Sequence, residues 1–201
     1  MHGETELYAR DFAELNEGFL ELTACGPRPG LPASVLERLA RLNARPRRRL
    51  ASVSFALFGF GFEDEAAWAS LLSPGVRDLE HPYDPRDPAA ERFALVALTA
   101  LRALVRGAPH SVSAWIGLPA ATRARLAELE ISLLAPVAAQ AGARLHGRRS
   151  LREGHWHRLL DAAERGDARQ LVVLSALGKQ WTIRRSLGIE LSRVPKRRYL
   201  R

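Results

Sequence analysis

The feature that most constrains the fold of this 201-residue chain is an internal repeat. Segments 30–42 and 117–129, 87 residues apart, share eight of thirteen residues and open with the same Gly-Leu-Pro-Ala tetrapeptide. With one residue inserted, the match continues to Trp68 and Trp156, each the start of a Trp-x-x-Leu-Leu motif. The period exceeds the roughly 20–50 residues of a solenoid repeat and has the size of a small domain. The sequence therefore predicts two copies of one folding unit.

The composition along the chain divides it into four segments. We assign residues 1–75 to the first unit, 76–89 to a linker, 90–180 to the second unit and 181–201 to a basic tail. Residues 74–88 contain four prolines, which prevent a continuous helix through the linker. Because duplicated units inherit the self-complementary packing of a twofold dimer, we expect the two units to form an internal pseudo-dimer.

Apolar residues recur at helical spacing through most of the chain. The exception is Phe58, Phe60 and Phe62, which alternate with glycines as in a short extended segment. The predicted fold class is all-α, with at most one short extended segment per unit. Helices are expected over 7–22, from Pro32 onward, and over 46–53, 93–105, 111–116, 119–129, 131–141, 155–164 and 168–187.

The composition excludes several classes of protein. With 47% hydrophobic residues the chain is globular, and its only cysteine, Cys25, excludes a disulfide scaffold and a cysteine-rich metal site. No apolar run approaches the roughly 18 residues of a membrane span. The polar N-terminus resembles neither a signal nor a transit peptide, so we expect no membrane association and a reducing, cytoplasmic location.

The net charge of +8 is concentrated at one end of the chain. Residues 179–201 carry a net charge of +7 and the other residues only +1. Two interpretations stay open: a solvated terminus, or a segment that contacts phosphates or an acidic partner. In the second interpretation the candidate DNA-binding residues of the tail are Arg184, Arg185, Arg193, Lys196, Arg197 and Arg198.

A second candidate DNA contact lies in the second repeat. Residues 111–116, a turn at Gly117 and the following helix resemble a helix-turn-helix. In that interpretation Thr122, Arg123 and Arg125 face outward toward phosphates or base edges. The alternative is an ordinary pair of short helices joined by a glycine turn, which many small helical domains contain.

The sequence contains no recognisable catalytic or cofactor motif. His146, His155 and His157 lie close together in the sequence, but His155 and His157 are two residues apart and fall on different helix faces. We therefore interpret all three as surface or cap histidines and expect no metal site. The acidic cluster 63–65 is explained by helix capping. We interpret Phe55, Phe58, Phe60 and Phe62 as part of a core or an interface, and Trp68 and Trp156 as the packing anchors of the two units. We predict no catalytic residues, no cofactor and no enzymatic activity.

The repeated unit resembles the FlhD family, a subunit of the bacterial flagellar master regulator. The resemblance covers both halves at low identity. It is carried by Leu15-Asn16-x-x-Phe19-Leu20-x-Leu22, Leu104-Val105, Ile116-Gly117-Leu118, Ala127-x-Leu129, Leu133-Leu134, Val137-Ala138, Leu159-Leu160, Leu171 and Leu174. The first unit is shorter than the family pattern before Gly30, and the basic tail is not part of that pattern.

The resemblance implies a bacterial transcriptional regulator or co-regulator that acts on DNA with a partner subunit similar to FlhC. It also implies an all-α homodimer, of which this chain would be the fused version. The alternative function is a non-enzymatic protein–protein adaptor of a secretion or mobile-element apparatus that binds no nucleic acid.

Overall fold

The computed structural model describes residues 2–26, 29–72, 87–107 and 115–186. The prediction of a mainly helical fold is confirmed in these ranges, where two two-residue strands form the only sheet. The linker prediction lies largely outside them, except that Pro88 and Ala89 already belong to a helix. The helix expected over 111–116 is described only at its last two residues. Within the described ranges no helix is both long and apolar enough to cross a lipid bilayer.

The first half of the chain contains four helices and one strand in its described part. Their bounds are α1, His2–Cys25; α2, Ala33–Arg41; α3, Ala44–Ala51; β1, Phe58–Gly59; and α4, Glu65–Leu71.

The second half contains five helices, a 3-10 turn and one strand in its described part. Their bounds are α5, Pro88–Gly107; α6, Ala120–Glu128; the 3-10 turn, Ile131–Leu133; α7, Leu134–Ala143; β2, His146–Gly147; α8, Glu153–Arg165; and α9, Ala168–Ser186.

The Gly-Leu-Pro-Ala tetrapeptides start α2 and α6 in the same way. Gly30 and Gly117 have φ angles of +81° and +73°, a left-handed conformation that favours glycine. Pro32 and Pro119 are the residues immediately before each helix, with φ of −60° and −59°. Proline suits this position because its fixed φ directs the chain and the helix needs no donor from it.

The two strands pair with each other in antiparallel orientation. Phe58 lies opposite Gly147, and Gly59 lies opposite His146. Both glycines are required by close packing: a Cβ on Gly59 would come within 2.8 Å of the His146 ring, and one on Gly147 within 2.3 Å of the Leu31 side chain. The short sheet therefore joins one strand from each half.

The helices pack across the two halves as well as within them. Helix α1 contacts α2 and α3, while α5 contacts α6 and α7. Between the halves α1 contacts α5, α2 and α3 contact α8, and α4 contacts α6. One continuous apolar core results, which includes the four phenylalanines 55, 58, 60 and 62 and both Trp68 and Trp156. The prediction that these residues form the core is confirmed.

A buried asparagine organises the irregular chain between α3 and β1. The Asn16 amide is fully buried, and its Nδ2 donates to the carbonyls of Ala51, Val53 and Phe55 at 2.9–3.4 Å. Its Oδ1 accepts from the amide of Leu57 at 2.8 Å. Backbone groups that lack a helical or sheet partner must be paired in a core, and here one side chain pairs four of them.

Candidate functional site

A cleft of about 190 Å³ lies beside the sheet, where the start of α6 meets the end of α9. Its walls come from both halves of the chain. Gly59, Glu63 and Glu65 line it from the first half, whereas His146, residues 148–150, Gly117 and Thr182 line it from the second.

Arg148 holds the walls of this cleft together. Its side chain is buried and donates from Nη1 to the carbonyl of Ile116 at 2.7 Å and from Nη2 to Oγ1 of Thr182 at 2.8 Å. Its Nε donates to Ser150 at 3.0 Å. A Cβ on Gly117 would lie 3.1 Å from both Arg148 and Thr182. The guanidinium thus fixes the turn before α6 against α9, as a planar fork of donors can.

His146 is a neutral structural residue of the cleft. Its Nδ1 donates to the carbonyl of Gly147 at 2.7 Å, and its Nε2 accepts from the amide of Gly61 at 3.1 Å. Burial is the main cause that lowers the pKa of His146, and the positive charges of Arg149 and Arg148 act in the same direction. Protonation of Nε2 would break the bond from Gly61, so the ring supplies no positive charge to a ligand near neutral pH.

Two histidines differ from their expected positions. His146 and His155 are each only 4% exposed, so the interpretation of these two as surface or cap residues is wrong. Burial is also the main cause that lowers the pKa of His155, with a smaller contribution from Arg158. The described part of the chain contains no cluster of three metal-ligating side chains.

The predicted DNA-contact residues of α6 separate into one buried and two surface positions. Thr122 is 3% exposed, so the expectation that it faces outward is wrong. It lies on the side of α6 that packs into the core, one turn before the buried Leu126. Arg123 is half-buried and Arg125 is exposed.

The predicted tail residues are only partly described. Arg184 is exposed near the end of α9, and Arg185 follows it in the same helix. Arg193, Lys196, Arg197 and Arg198 lie outside the described residues. Since Thr182 contacts the turn that begins α6, the structure brings the start of α6 close to the end of α9.

The first half contains a basic helix that the sequence analysis did not predict, because the net charge of all residues outside 179–201 is only +1. Helix α3 contains the sequence Arg45-Pro-Arg47-Arg48-Arg49. Arg47 donates to the carbonyl of Leu42 at 2.9 Å, and Arg49 donates to that of Ala163 at 3.2 Å. These two arginines bind carbonyls at or next to the C-terminal ends of helices, where positive charge is favourable, so part of the basic run is structural. The run of arginines itself was visible in the sequence.

A second unpredicted cluster joins α2 to α8. Oγ of Ser34 lies 3.2 Å from Nε2 of His157, and Nη1 of Arg38 lies 3.2 Å from Nδ1 of the same ring. A guanidinium can only donate, so Nδ1 is the acceptor and Nε2 carries the proton. His157 therefore cannot take a proton from Ser34, and the pair does not form the nucleophile–base arrangement of a hydrolase. Ser34 donates instead to Glu153, and this bond is the main cause that lowers the pKa of Glu153.

Arg38 completes the link between α2 and α8 through two carboxylates. Its Nη2 lies 2.8 Å from Asp161 and 2.8 Å from Glu164. The Arg38 side chain is only 28% exposed. Burial alone would lower the pKa of Arg38, but its bonds to Asp161 and Glu164 outweigh burial and raise that pKa. The cluster is therefore an interhelical contact between the two halves.

Comparison with known proteins adds no relative: no family model, no curated protein and no solved structure matches this chain.

Proposed function

We propose that the chain is a bacterial transcriptional regulator or co-regulator of the FlhD type, which acts on DNA together with a partner subunit. The observation that carries the proposal is the pairing of equivalent elements across the two halves. It supports a fused version of a twofold dimer, the arrangement that the resemblance to FlhD implies.

Equivalent elements have equivalent bounds. At the 87-residue offset of the repeat, α2 at 33–41 corresponds to α6 at 120–128. One inserted residue later, β1 corresponds to β2, and Glu65 at the start of α4 corresponds to Glu153 at the start of α8. The correspondence thus extends beyond the identical residues to the start of each element.

The contacts between the halves follow a twofold exchange. The equivalent strands pair with each other, and they are antiparallel, as a twofold axis requires. Helix α2 packs on α8, and its equivalent α6 packs on α4, which is the equivalent of α8. Both observations support an internal pseudo-dimer produced by duplication.

The DNA contact is proposed for one side of the second half. Arg123 and Arg125 lie on α6, and the end of α9 lies next to the turn that starts α6, where Thr182 approaches Gly117. The tail continues from there with a strongly positive formal charge. Clustered arginines neutralise phosphates and release counterions, which gives affinity without sequence specificity. Sequence specificity is assigned to the partner subunit.

The test is a DNA titration of the full-length chain over a range of salt concentrations, with a fluorescent mixed-sequence duplex. The logarithm of affinity should fall steeply with the logarithm of salt concentration. A chain in which Arg193, Lys196, Arg197 and Arg198 are replaced by glutamine should show a slope that is shallower by about 0.9 per lost phosphate contact. Absent or salt-independent binding, with and without a co-expressed partner, would exclude the DNA contact.

The adaptor function remains the second candidate because α9 exposes apolar side chains. Val172 and Val173 are 69% and 60% exposed. Exposed apolar patches of this kind mark protein contacts. Failure of DNA binding at low salt, combined with specific protein binding through α9, would favour the adaptor.

A further inference from the structure

Helix α9 has an apolar outer side that the described residues leave exposed. Its side chains there are Val172, Val173, Leu177 and Ile183, which are 69%, 60%, 36% and 38% exposed. They recur over three turns of the helix, whereas Leu171 and Leu174 on the other side are buried in the core. A helix that already buries one side seldom exposes a second apolar side without a partner.

The same helix carries charge of only one sign. Among residues 168–186 there is no aspartate or glutamate, while Arg169, Lys179, Arg184 and Arg185 are basic. Arg169 and Arg184 are exposed and lie near opposite ends of the apolar patch. The outer side of α9 is therefore an apolar strip with positive charge at both ends.

This charge pattern disfavours a second copy of the chain as the occupant. In an antiparallel twofold contact between two α9 helices, Arg169 of one copy would face Arg184 of the other. In a parallel contact each arginine would face its own counterpart. Either arrangement brings like charges together around the apolar strip, which is unfavourable.

We infer that the outer side of α9 is a docking surface for a protein partner that presents an apolar helix flanked by carboxylates. Charge complementarity selects this occupant: carboxylates would pair with Arg169 and Arg184, while the apolar strip would be buried between the helices. The inference names the chemistry of the partner subunit and rests on the proposed function for the existence of that subunit.

The experiment uses the full-length chain and two synthetic amphipathic helical peptides that share one apolar face. One peptide carries glutamates beside that face and the other carries lysines. Binding is followed by fluorescence anisotropy of the labelled peptides. The glutamate peptide should bind at least tenfold more tightly than the lysine peptide, and salt should weaken its binding. Equal binding of the two peptides would overturn the inference.

A matched pair of variants locates the contact. Val173 and Val96 are both valines that are 60% exposed, but Val96 lies on α5. V173S combined with L177S should weaken binding of the glutamate peptide about tenfold, because apolar area is lost from the contact. V96S should leave binding unchanged. Equal loss with V96S would overturn the inference, and circular dichroism would verify that each variant is folded.

Two further results would assign α9 to another occupant. Binding to vesicles rich in anionic phosphatidylserine, without binding to the glutamate peptide, would make it a lipid contact. A dimer in sedimentation that V173S dissociates would make it a self-contact. The DNA affinity of the V173S/L177S variant separates the two proposals. Loss of peptide binding with unchanged DNA affinity supports this inference and leaves the DNA contact intact. Peptide binding by a chain that binds no DNA overturns only the DNA part of the proposed function.

Discussion

The two turn-helix segments, 30–41 and 117–128, share a start and a length but differ in their surroundings. On α2, Arg38 is bound to Asp161 and Glu164 of α8. Its counterpart in the repeat, Arg125 on α6, is exposed. The positions equivalent to the two carboxylates are Ser73 and Val76, so the second segment has no acids with which to form the same pairs. Both copies pack on a helix of the other half, but only the first uses its arginine for that contact, and the second leaves its arginine exposed.

The helices before these segments differ in a similar way. Asn16 of α1 pairs four backbone groups of the irregular chain between α3 and β1. Its counterpart on α5 is Ala103, which is exposed. The second half needs no such amide because α7 continues as helix to Ala143, close to β2, and its backbone groups pair within the helix.

The largest expected effect is the loss of the Asn16 amide. N16A should lower the free energy of unfolding by about 4 kcal/mol, because several buried backbone groups lose their partner at roughly 1–3 kcal/mol each. A103N, the matched change in the second half, should alter stability by less than about 0.5 kcal/mol because the site is exposed. Urea denaturation measures both. Similar values for the two variants would contradict the difference between the halves.

The next largest expected effect is a pH dependence of the free energy of unfolding, which we assign to two histidines of the second half. Burial lowers the pKa of both His146 and His155, whose counterparts Phe58 and Ala67 do not titrate. Below pH about 6.5 the unfolded chain binds protons that the folded chain does not, so stability is present above that pH and is lost as pH falls toward the folded-state pKa.

The size of this dependence can be measured between pH 7.5 and 5.5. Each histidine can contribute at most about 1.4 kcal/mol per pH unit. H146N should reduce the slope of unfolding free energy against pH, and H155N should reduce it as well, because burial lowers the pKa of both rings. A slope that H146N leaves unchanged would contradict the assigned role of His146.

A smaller effect should separate the two equivalent arginines. R38Q removes both ion pairs to α8 and should destabilise the protein by about 1 kcal/mol, a value kept low because the carboxylates are partly exposed to solvent. R125Q should change stability by less than about 0.3 kcal/mol because Arg125 is exposed. Thermal unfolding at low and high salt measures both, and salt should reduce the cost of R38Q.

The smallest difference concerns the two equivalent tryptophans. Both are fully buried, but Nε1 of Trp68 donates to the carbonyl of Phe60 at 3.2 Å, whereas Nε1 of Trp156 meets no acceptor within the described part of the chain. Both W68F and W156F lose ring volume, but only W68F loses a hydrogen bond. W68F should therefore be more destabilising by about 0.5 kcal/mol, and equal costs would argue that the bond contributes nothing.

Local signals in the sequence predicted the elements well. The Gly-Leu-Pro-Ala turns, the helix periodicity and the acidic cluster at α4 depend on neighbouring residues, and Asp64 indeed caps α4 by accepting from the amide of Ala67 at 3.0 Å. The sequence also predicted that the phenylalanines and both tryptophans form the core, because large apolar residues at matched positions have few alternatives.

Contacts between distant segments could not be predicted. The helix-turn-helix interpretation predicts that Thr122 faces outward, but the structure buries it in the core. The link from Arg38 to Asp161 spans more than a hundred residues and leaves no local pattern. The burial of His155 depends in the same way on a distant segment, α9. The centroids of the His155 and Trp181 rings lie 4.7 Å apart.

DNA affinity of R125Q compared with R38Q tests the central claim most directly. The full-length variants would be titrated with the same duplex over a range of salt concentrations. R125Q should weaken binding and lower the slope of log affinity against log salt by about one, as expected for one lost phosphate contact. R38Q should leave both unchanged. Equal effects of the two variants, or no effect of R125Q, would contradict the assignment of the DNA contact to the second half.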